Sequence, residues 1–101
     1  MNERAILSLL KNGRVVFHYP LKAYCAAGTG DFGVSVPKRM FKRAVRRNLL
    51  KRRVRAAWRL NRALPGAEGY DVFVYYIGKQ VETYERIEKS LVAVLSDLAA
   101  D

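Results

Sequence analysis

The stretch that decides the organisation of this chain is PKRMFKRAVRRNLLKRRVRAAWRLNR, residues 37–62. From Lys38 to Arg62 it carries 12 lysines and arginines, 9 of them arginines, and no aspartate or glutamate. The whole chain has a formal net charge of +10, so the remaining residues, with 7 basic and 9 acidic side chains, sum to −2. The excess positive charge therefore lies in one quarter of the length, and a polyanion is the expected partner.

A long helix is predicted for this basic stretch, ending before Pro65-Gly66, because proline cannot continue a helix and glycine favours a C-terminal cap. At about 100° per residue, six cations and one asparagine fall on one stripe of the helix surface: Arg47, Asn48, Lys51, Arg52, Arg55, Arg59 and Arg62. Four apolar residues fall on another side and are predicted to face the core: Val45, Leu49, Ala56 and Leu60.

The sign of the charge in this stripe distinguishes it from an ordinary solvated helix face. Like charges at four-residue spacing repel one another by a few tenths of a kcal/mol, and a merely soluble helix relieves them with glutamate. The excess of arginine favours bidentate contacts with phosphate. The stripe therefore predicts a nucleic-acid-binding helix, whereas a membrane-surface helix is disfavoured because Arg46 and Arg53 interrupt the apolar side.

The rest of the chain predicts an α+β fold in a single domain over residues 1–101, with the element order α-β-β-(β)-α-β-α. The predicted segments are a helix over 2–11, a β-rich run over 15–26, a strand over 32–36, a strand over 70–77 that is the central one, and a helix that begins after the N-cap Thr83. Pro20 interrupts the run over 15–26, so two short strands or an edge position are expected there. Gly13 is predicted to end the first helix in a left-handed cap. We expect a two-layer sandwich of about four strands and three helices, in which the second and third strands pair as an antiparallel hairpin.

Alternation along the strands and the helical period of the last segment assign the faces of these elements. The core side of the second strand is predicted to carry Leu21, Ala23 and Cys25, and the opposite side Lys22, Tyr24 and Ala26. Ser35 is placed opposite Val34 by the same alternation. The last helix is predicted to bury Ile87, Leu91, Val94, Leu95 and Leu98.

Several classes of function are disfavoured by what the sequence lacks. The longest apolar run, Val72 to Ile77, is too short to span a membrane, and no export signal is evident. Cys25 and His18 are the only residues of their types, so cysteine-based zinc sites and histidine-dependent catalytic groups are not expected. The acidic residues are scattered, which argues against a carboxylate metal site and against a protein-only nuclease.

One motif in the basic stretch resembles a known family signature. The pattern RNxxKRxxR at residues 47–55, preceded by VSVPKR at residues 34–39, resembles the RNR motif of the bacterial ribonuclease P protein family. The resemblance extends over nearly the whole chain. The form with Pro37 and FKR at residues 41–43 is similar to that of the Bacteroidetes-like branch.

The resemblance implies a small sandwich with a left-handed β-α-β crossover, and a protein subunit of the ribonucleoprotein that removes the 5′ leader from precursor tRNA in the cytoplasm. It implies that a catalytic RNA performs the cleavage and that Mg²⁺ is held mainly by that RNA and not strongly by the protein. No obligate protein partner is evident from the sequence. The residues that match RNA-binding positions of the family are Lys38, Arg39, Arg47, Asn48, Lys51, Arg52 and Arg55. The helical projection adds Arg59 and Arg62 to the predicted RNA-binding residues. The residues that match leader-binding positions are Lys22, Tyr24, Ser35, Ile6 and Leu10.

Three departures from the family pattern bear on these expectations. Ile6 and Leu10 stand where the family usually has phenylalanines, so the first helix would contact a leader only through aliphatic groups. Ala56 stands where the family has glutamate, and a basic N-terminal extension is largely absent. A structural RNA-binding protein of ribosomal type is the alternative function. For Tyr24, ordinary half-buried sheet packing is the alternative to leader binding.

Overall fold

Seven elements follow one another along residues 1–100, the part of the chain that the computed structural model describes. They are α1 (Glu3–Asn12), β1 (Arg14–His18), β2 (Leu21–Ala27), β3 (Phe32–Ser35), α2 (Ala44–Asn61), β4 (Tyr70–Tyr76) and α3 (Tyr84–Ala99). The predicted α+β class and element order are confirmed, and the third strand is a definite part of the sheet.

The four strands form one mixed sheet in the order β1-β2-β4-β3. The strand β4 pairs antiparallel with β2 and parallel with β3, so β3, α2 and β4 form a β-α-β unit. The predicted hairpin of β2 with β3 is therefore wrong, because β4 lies between them. Val72, Phe73 and Val74 are all buried, and a strand that is buried on both faces belongs in the interior of a sheet.

The ends of α1 and α3 show how local sequence sets their limits. The Asn2 side chain caps α1 by accepting a hydrogen bond from the Ala5 amide. The predicted N-cap Thr83 is confirmed, because its side chain accepts a hydrogen bond from the Arg86 amide. Gly13 does follow α1, but its φ of −74° and ψ of 154° are extended, so the left-handed cap is wrong. Glycine is needed there for space, because a Cβ would lie 2.5 Å from the Leu9 carbonyl oxygen.

The main core lies between one face of the sheet and the two long helices. The alternation predicted for β2 and the apolar stripe predicted for α3 are confirmed, since every core residue named for them is buried. The helix α1 packs on the opposite face of the sheet, against β2 and β4, and leaves part of that face uncovered. We call the uncovered part the open face; Lys22, Tyr24 and Tyr75 belong to it.

The helix α2 differs from its prediction in its start and in the side it buries. It begins at Ala44, while residues 38–43 form turns and a bend, with the Met40 amide donating to the Pro37 carbonyl oxygen. Val45 and Leu60 were expected in the core, but they are 76% and 73% exposed. Leu49 and Ala56, of the same predicted set, are half-buried. The helix instead buries Leu50, Val54 and Ala57, because this is the side on which α3 and the sheet dock.

Candidate nucleic-acid interface

The side of α2 that faces away from the core carries a continuous cationic surface. Its members are exposed, and we call them the α2 stripe: Asn48, Arg52, Arg55, Arg59 and Arg62. Among the described residues, none of the five side chains has a hydrogen bond or an ion pair with another side chain. Their donors are therefore available to an external anion, and no acidic residue of α2 competes for them.

Two residues of the predicted stripe, Arg47 and Lys51, lie along one of its margins and are half-buried. The Arg47 guanidinium donates from Nη1 to the carbonyl oxygens of Phe41 (2.7 Å) and Lys42 (2.8 Å). Since α2 has no side-chain N-cap, this arginine holds the turn from which the helix starts. Lys51 lies on the same margin, one turn further along α2, where Trp58 stacks on Phe32 with ring centroids 5.0 Å apart.

A second basic surface lies on the open face of the sheet, where a cleft of about 640 Å³ runs between α1, the strands β2 and β4, and the loop that precedes α2. Its walls combine aliphatic groups, tyrosine rings and three cations. The lining residues are Leu10, Lys22, Tyr24, Pro37, Arg39, Met40, Tyr75, Tyr76, Ile77 and Lys79.

The register of the sheet explains why these side chains share one face. Lys22 pairs with Tyr75 across β2 and β4, and Ser35 pairs with Tyr75 across β3 and β4. Residues directly opposite each other point to the same side of a sheet, so Ser35 lies on the open face one strand beyond Tyr75. Tyr24 pairs with Phe73 in the neighbouring row, where Phe73 is buried.

The rings and the ammonium group in the cleft hold one another in place. The Tyr24 and Tyr75 rings meet edge to face at 6.0 Å, and the Phe73 ring meets Tyr75 in the same way at 5.2 Å. Lys22 Nζ lies 5.2 Å from the centroid of the Tyr24 ring, within the range of a cation–π contact. The cleft therefore presents ordered aromatic groups beside a positive charge.

The structure divides the sequence-predicted site residues differently from the prediction. Arg39 lines the cleft and is not part of the α2 stripe, while Lys38 is exposed in the same turn. Leu10 lines the cleft, and Ile6 lies one turn earlier on α1, half-buried and outside the lining. Sequence reasoning missed Tyr75 and Lys79, because their proximity to Lys22 depends on β4 lying next to β2.

The remaining titratable groups lie outside both surfaces. Burial raises the pKa of the Cys25 thiol to about 11, so the thiol is un-ionised at neutral pH and Cys25 acts as a core residue. His18 Nε2 lies 2.6 Å from Asp97 Oδ2, a pairing that joins β1 to α3 across 79 positions and that sequence proximity did not reveal. No three His, Cys, Asp or Glu side chains within residues 1–100 are grouped so as to hold a metal ion.

Comparison with known proteins identifies the family to which the chain belongs. The model of the family described as ribonuclease P matches residues 2–99. The chain belongs to the ribonuclease P protein family. The family expected from the RNxxKRxxR motif is thereby confirmed, and the function of the chain is that of the protein subunit of ribonuclease P in tRNA 5′ processing.

Solved structures of similar fold include those of two bacterial proteins. The ribonuclease P protein of Staphylococcus aureus is 24% identical, with 96% of this chain and 91% of that chain covered and a TM-score of 0.80. The ribonuclease P protein of Thermotoga maritima, in complex with 1-(4-fluorophenyl)-2-thiourea, is 23% identical, with 91% and 92% covered and a TM-score of 0.81. A search of curated proteins found no match. No helix within residues 1–100 is long and apolar enough to cross a membrane.

Proposed function

We propose that this ribonuclease P protein is a non-catalytic subunit with two RNA-binding surfaces, the α2 stripe for the catalytic RNA and the open-face cleft for the 5′ leader of precursor tRNA. The observation that carries the proposal is the separation of the two surfaces. The stripe lies on the outer side of a helix that covers one face of the sheet, and the cleft lies on the other face. One protein can therefore contact two RNA segments at once. The proposal places the protein in the cytoplasm, where precursor tRNA is made, and includes no obligate protein partner.

The stripe suits a folded RNA because it offers charge and donors but few apolar groups. Arginine guanidinium groups bind phosphate in bidentate geometry, and each contact releases counterions from the RNA. Asn48 adds an amide that can both donate to and accept from an RNA group. This surface supplies affinity and orientation for the catalytic RNA, which carries out the cleavage.

The cleft suits a single strand of variable sequence. Every base has a π-face, so stacking on an aromatic ring tolerates sequence changes and contributes roughly 1–3 kcal/mol per base. Tyr24 and Tyr75 supply the rings, and Lys22, Arg39 and Lys79 supply charges for the phosphates. In this proposal Arg39 contacts the leader, and Lys38, Arg47 and Lys51 support the α2 stripe.

The proposal assigns Mg²⁺ to the RNA. Magnesium prefers carboxylate, phosphate and water oxygens in octahedral geometry. The charged side chains that line the cleft are cations, and the stripe likewise has no carboxylate. The donor groups of both surfaces therefore do not fit a resident Mg²⁺, whereas RNA phosphates do.

Reconstitution with a bacterial ribonuclease P RNA tests the proposal. At low Mg²⁺ concentration, adding the protein is expected to stimulate leader removal from precursor tRNA. Tyr24→Ala is expected to weaken the affinity of the reconstituted enzyme for precursor tRNA more than its affinity for mature tRNA. Absence of stimulation would contradict the proposal, and an equal effect on both tRNAs would favour a general structural RNA-binding role of ribosomal type. Cleavage by the protein alone would contradict the non-catalytic assignment.

A further inference from the structure

An aromatic side chain on the edge strand extends the open face beyond the cleft. Phe17 lies on β1 and is 59% exposed, whereas the core residue of that strand is Val16. The register places Phe17 directly opposite Lys22, so its ring lies on the same side of the sheet as Tyr24 and Tyr75. Packing of the protein core therefore does not account for this phenylalanine.

The Lys22 side chain connects Phe17 to the cleft. Its Nζ lies 5.2 Å from the centroid of the Phe17 ring and 5.2 Å from the centroid of the Tyr24 ring. One ammonium group is thus held between two aromatic rings, at the boundary between the cleft and the edge strand. This arrangement offers a ring for a base and a positive charge for the adjoining phosphate.

The same row of the sheet continues across all four strands, through Phe17, Lys22, Tyr75 and Ser35. Adjacent strands are about 4.8 Å apart, so Phe17 lies about 10 Å from Tyr75 across β2. A base stacked on Phe17 would therefore belong to a different nucleotide from a base at Tyr75. The row gives an extended strand a path from the cleft to the edge of the sheet.

The first helix supplies no aromatic ring to the cleft, so base stacking depends on residues of the sheet. Leu10 is the α1 residue that lines the cleft, and it is aliphatic. The aromatic groups available to a leader therefore lie on the strands. Phe17 adds one such ring on the edge strand β1, next to Lys22 but outside the cleft lining.

We propose that Phe17 and Lys22 form a second nucleotide-binding position, at which an unpaired nucleotide of the 5′ leader stacks on Phe17 and its phosphate contacts Lys22. The inference rests on the proposed function of the cleft, with which this position is continuous. The leader is the committed occupant because the site continues the cleft and is positively charged. A second copy of the chain, docked through the exposed ring, is the alternative that the experiment must separate.

Affinity measured against leader length tests this position. The reconstituted enzyme is titrated with precursor tRNAs whose leaders lengthen one nucleotide at a time. Phe17→Ala is expected to bind the shortest leaders like wild type and to lose about five- to tenfold in affinity once the leader is long enough to reach β1. Phe17→Tyr keeps the ring and is expected to retain affinity at every length, whereas Phe17→Leu is expected to behave like the alanine variant.

Tyr19→Ala is the matched control. Tyr19 is 51% exposed and follows β1, but its ring packs against the Arg86 guanidinium of α3, 5.6 Å from the centroid, and lies outside the cleft. Its removal is expected to leave the length dependence unchanged. Tyr24→Ala, in contrast, is expected to weaken binding from shorter leaders onward, because Tyr24 lines the cleft.

Three outcomes would overturn the second position: wild-type affinity of Phe17→Ala at every leader length, a loss that is independent of length, or full retention of affinity by Phe17→Leu. Sedimentation that showed Phe17-dependent self-association without length dependence would assign the ring to a second copy. A Tyr24→Ala effect without a Phe17→Ala effect would refute only the second position. The absence of both effects would refute the leader cleft itself.

Discussion

Replacing Arg47 and Arg55 by alanine, one at a time, is expected to separate two roles that the basic motif combines. Both arginines belong to the RNxxKRxxR pattern, but their surroundings differ. The Arg47 guanidinium is half-buried and donates to the Phe41 and Lys42 carbonyl oxygens. Arg55 is exposed and, among the described residues, has no side-chain partner. The first variant should therefore lose stability, and the second should lose only affinity for RNA.

The structure sets the size of the expected difference. A hydrogen bond from a charged donor contributes about 1.5–3 kcal/mol, and partial exposure of the pair lowers this contribution. We expect Arg47→Ala to reduce the free energy of unfolding by about 1–3 kcal/mol, which corresponds to a lower Tm by roughly 5–15 °C for a domain of this size. Arg55→Ala should change stability by less than about 0.5 kcal/mol, since surface substitutions without specific contacts rarely do more.

Thermal unfolding followed by circular dichroism, together with RNA affinity across a range of salt concentrations, measures both effects. Arg55→Ala is expected to flatten the plot of log K against log salt by somewhat under one unit, as the loss of one phosphate contact requires. Arg47→Lys is the matched control, because it keeps the charge but cannot reproduce the guanidinium geometry. It should therefore recover only part of the stability that Arg47→Ala loses. Equal stability of Arg47→Ala and wild type would refute the structural role, and an unchanged salt slope for a folded Arg55→Ala would show that the stripe does not face RNA.

Three further predictions follow from burial. Leu50→Ala should lower the free energy of unfolding, measured by urea denaturation, by about 2–5 kcal/mol because Leu50 is fully buried. Leu60→Ala should lower it by less than about 0.5 kcal/mol, because Leu60 is exposed. Equal losses in the two variants would contradict the orientation of α2. Gly66→Ala should sharply lower the urea midpoint, because its Cβ would lie 1.7 Å from the Leu95 carbonyl oxygen, and an unchanged midpoint would show that this turn shifts freely. Burial raises the pKa of the Cys25 thiol from 9.0 to about 11, so the unfolded state loses its proton first. The protonated Cys25 thiol therefore contributes fully to the free energy of unfolding below pH 9, and this contribution declines between pH 9 and 11. The decline due to this thiol should be absent in Cys25→Ala. Parallel pH profiles of the free energy of unfolding for Cys25→Ala and wild type would contradict this prediction.

The sequence by itself determined those features that depend on short-range patterns. The apolar stripe of α3 repeats at helical spacing on one side only, so its buried face follows from periodicity alone. The alternation in β2 works in the same way, because one side carries small or apolar groups and the other carries Lys22 and Tyr24. The RNxxKRxxR motif lies within a single helix, where spacing along the sequence fixes which side chains share a face. The family could therefore be inferred without knowing the tertiary structure.

The tertiary structure alone decided which side of α2 is buried. The helix has apolar residues on two sides, one containing Val45 and Leu60 and the other containing Leu50 and Val54. Hydrophobicity does not choose between them; the docking of α3 and the sheet does, and it thereby also sets Arg47 apart from the stripe.

The open-face cleft likewise depended on long-range pairing. Tyr75 reaches Lys22 only because β4 inserts between β2 and β3, a strand order that local alternation does not contain. Arg39 joins the cleft because residues 38–43 turn before α2 begins instead of extending the helix. The basic residues could thus be recognised from sequence, but their division between two surfaces required the packing of elements that are distant in the chain.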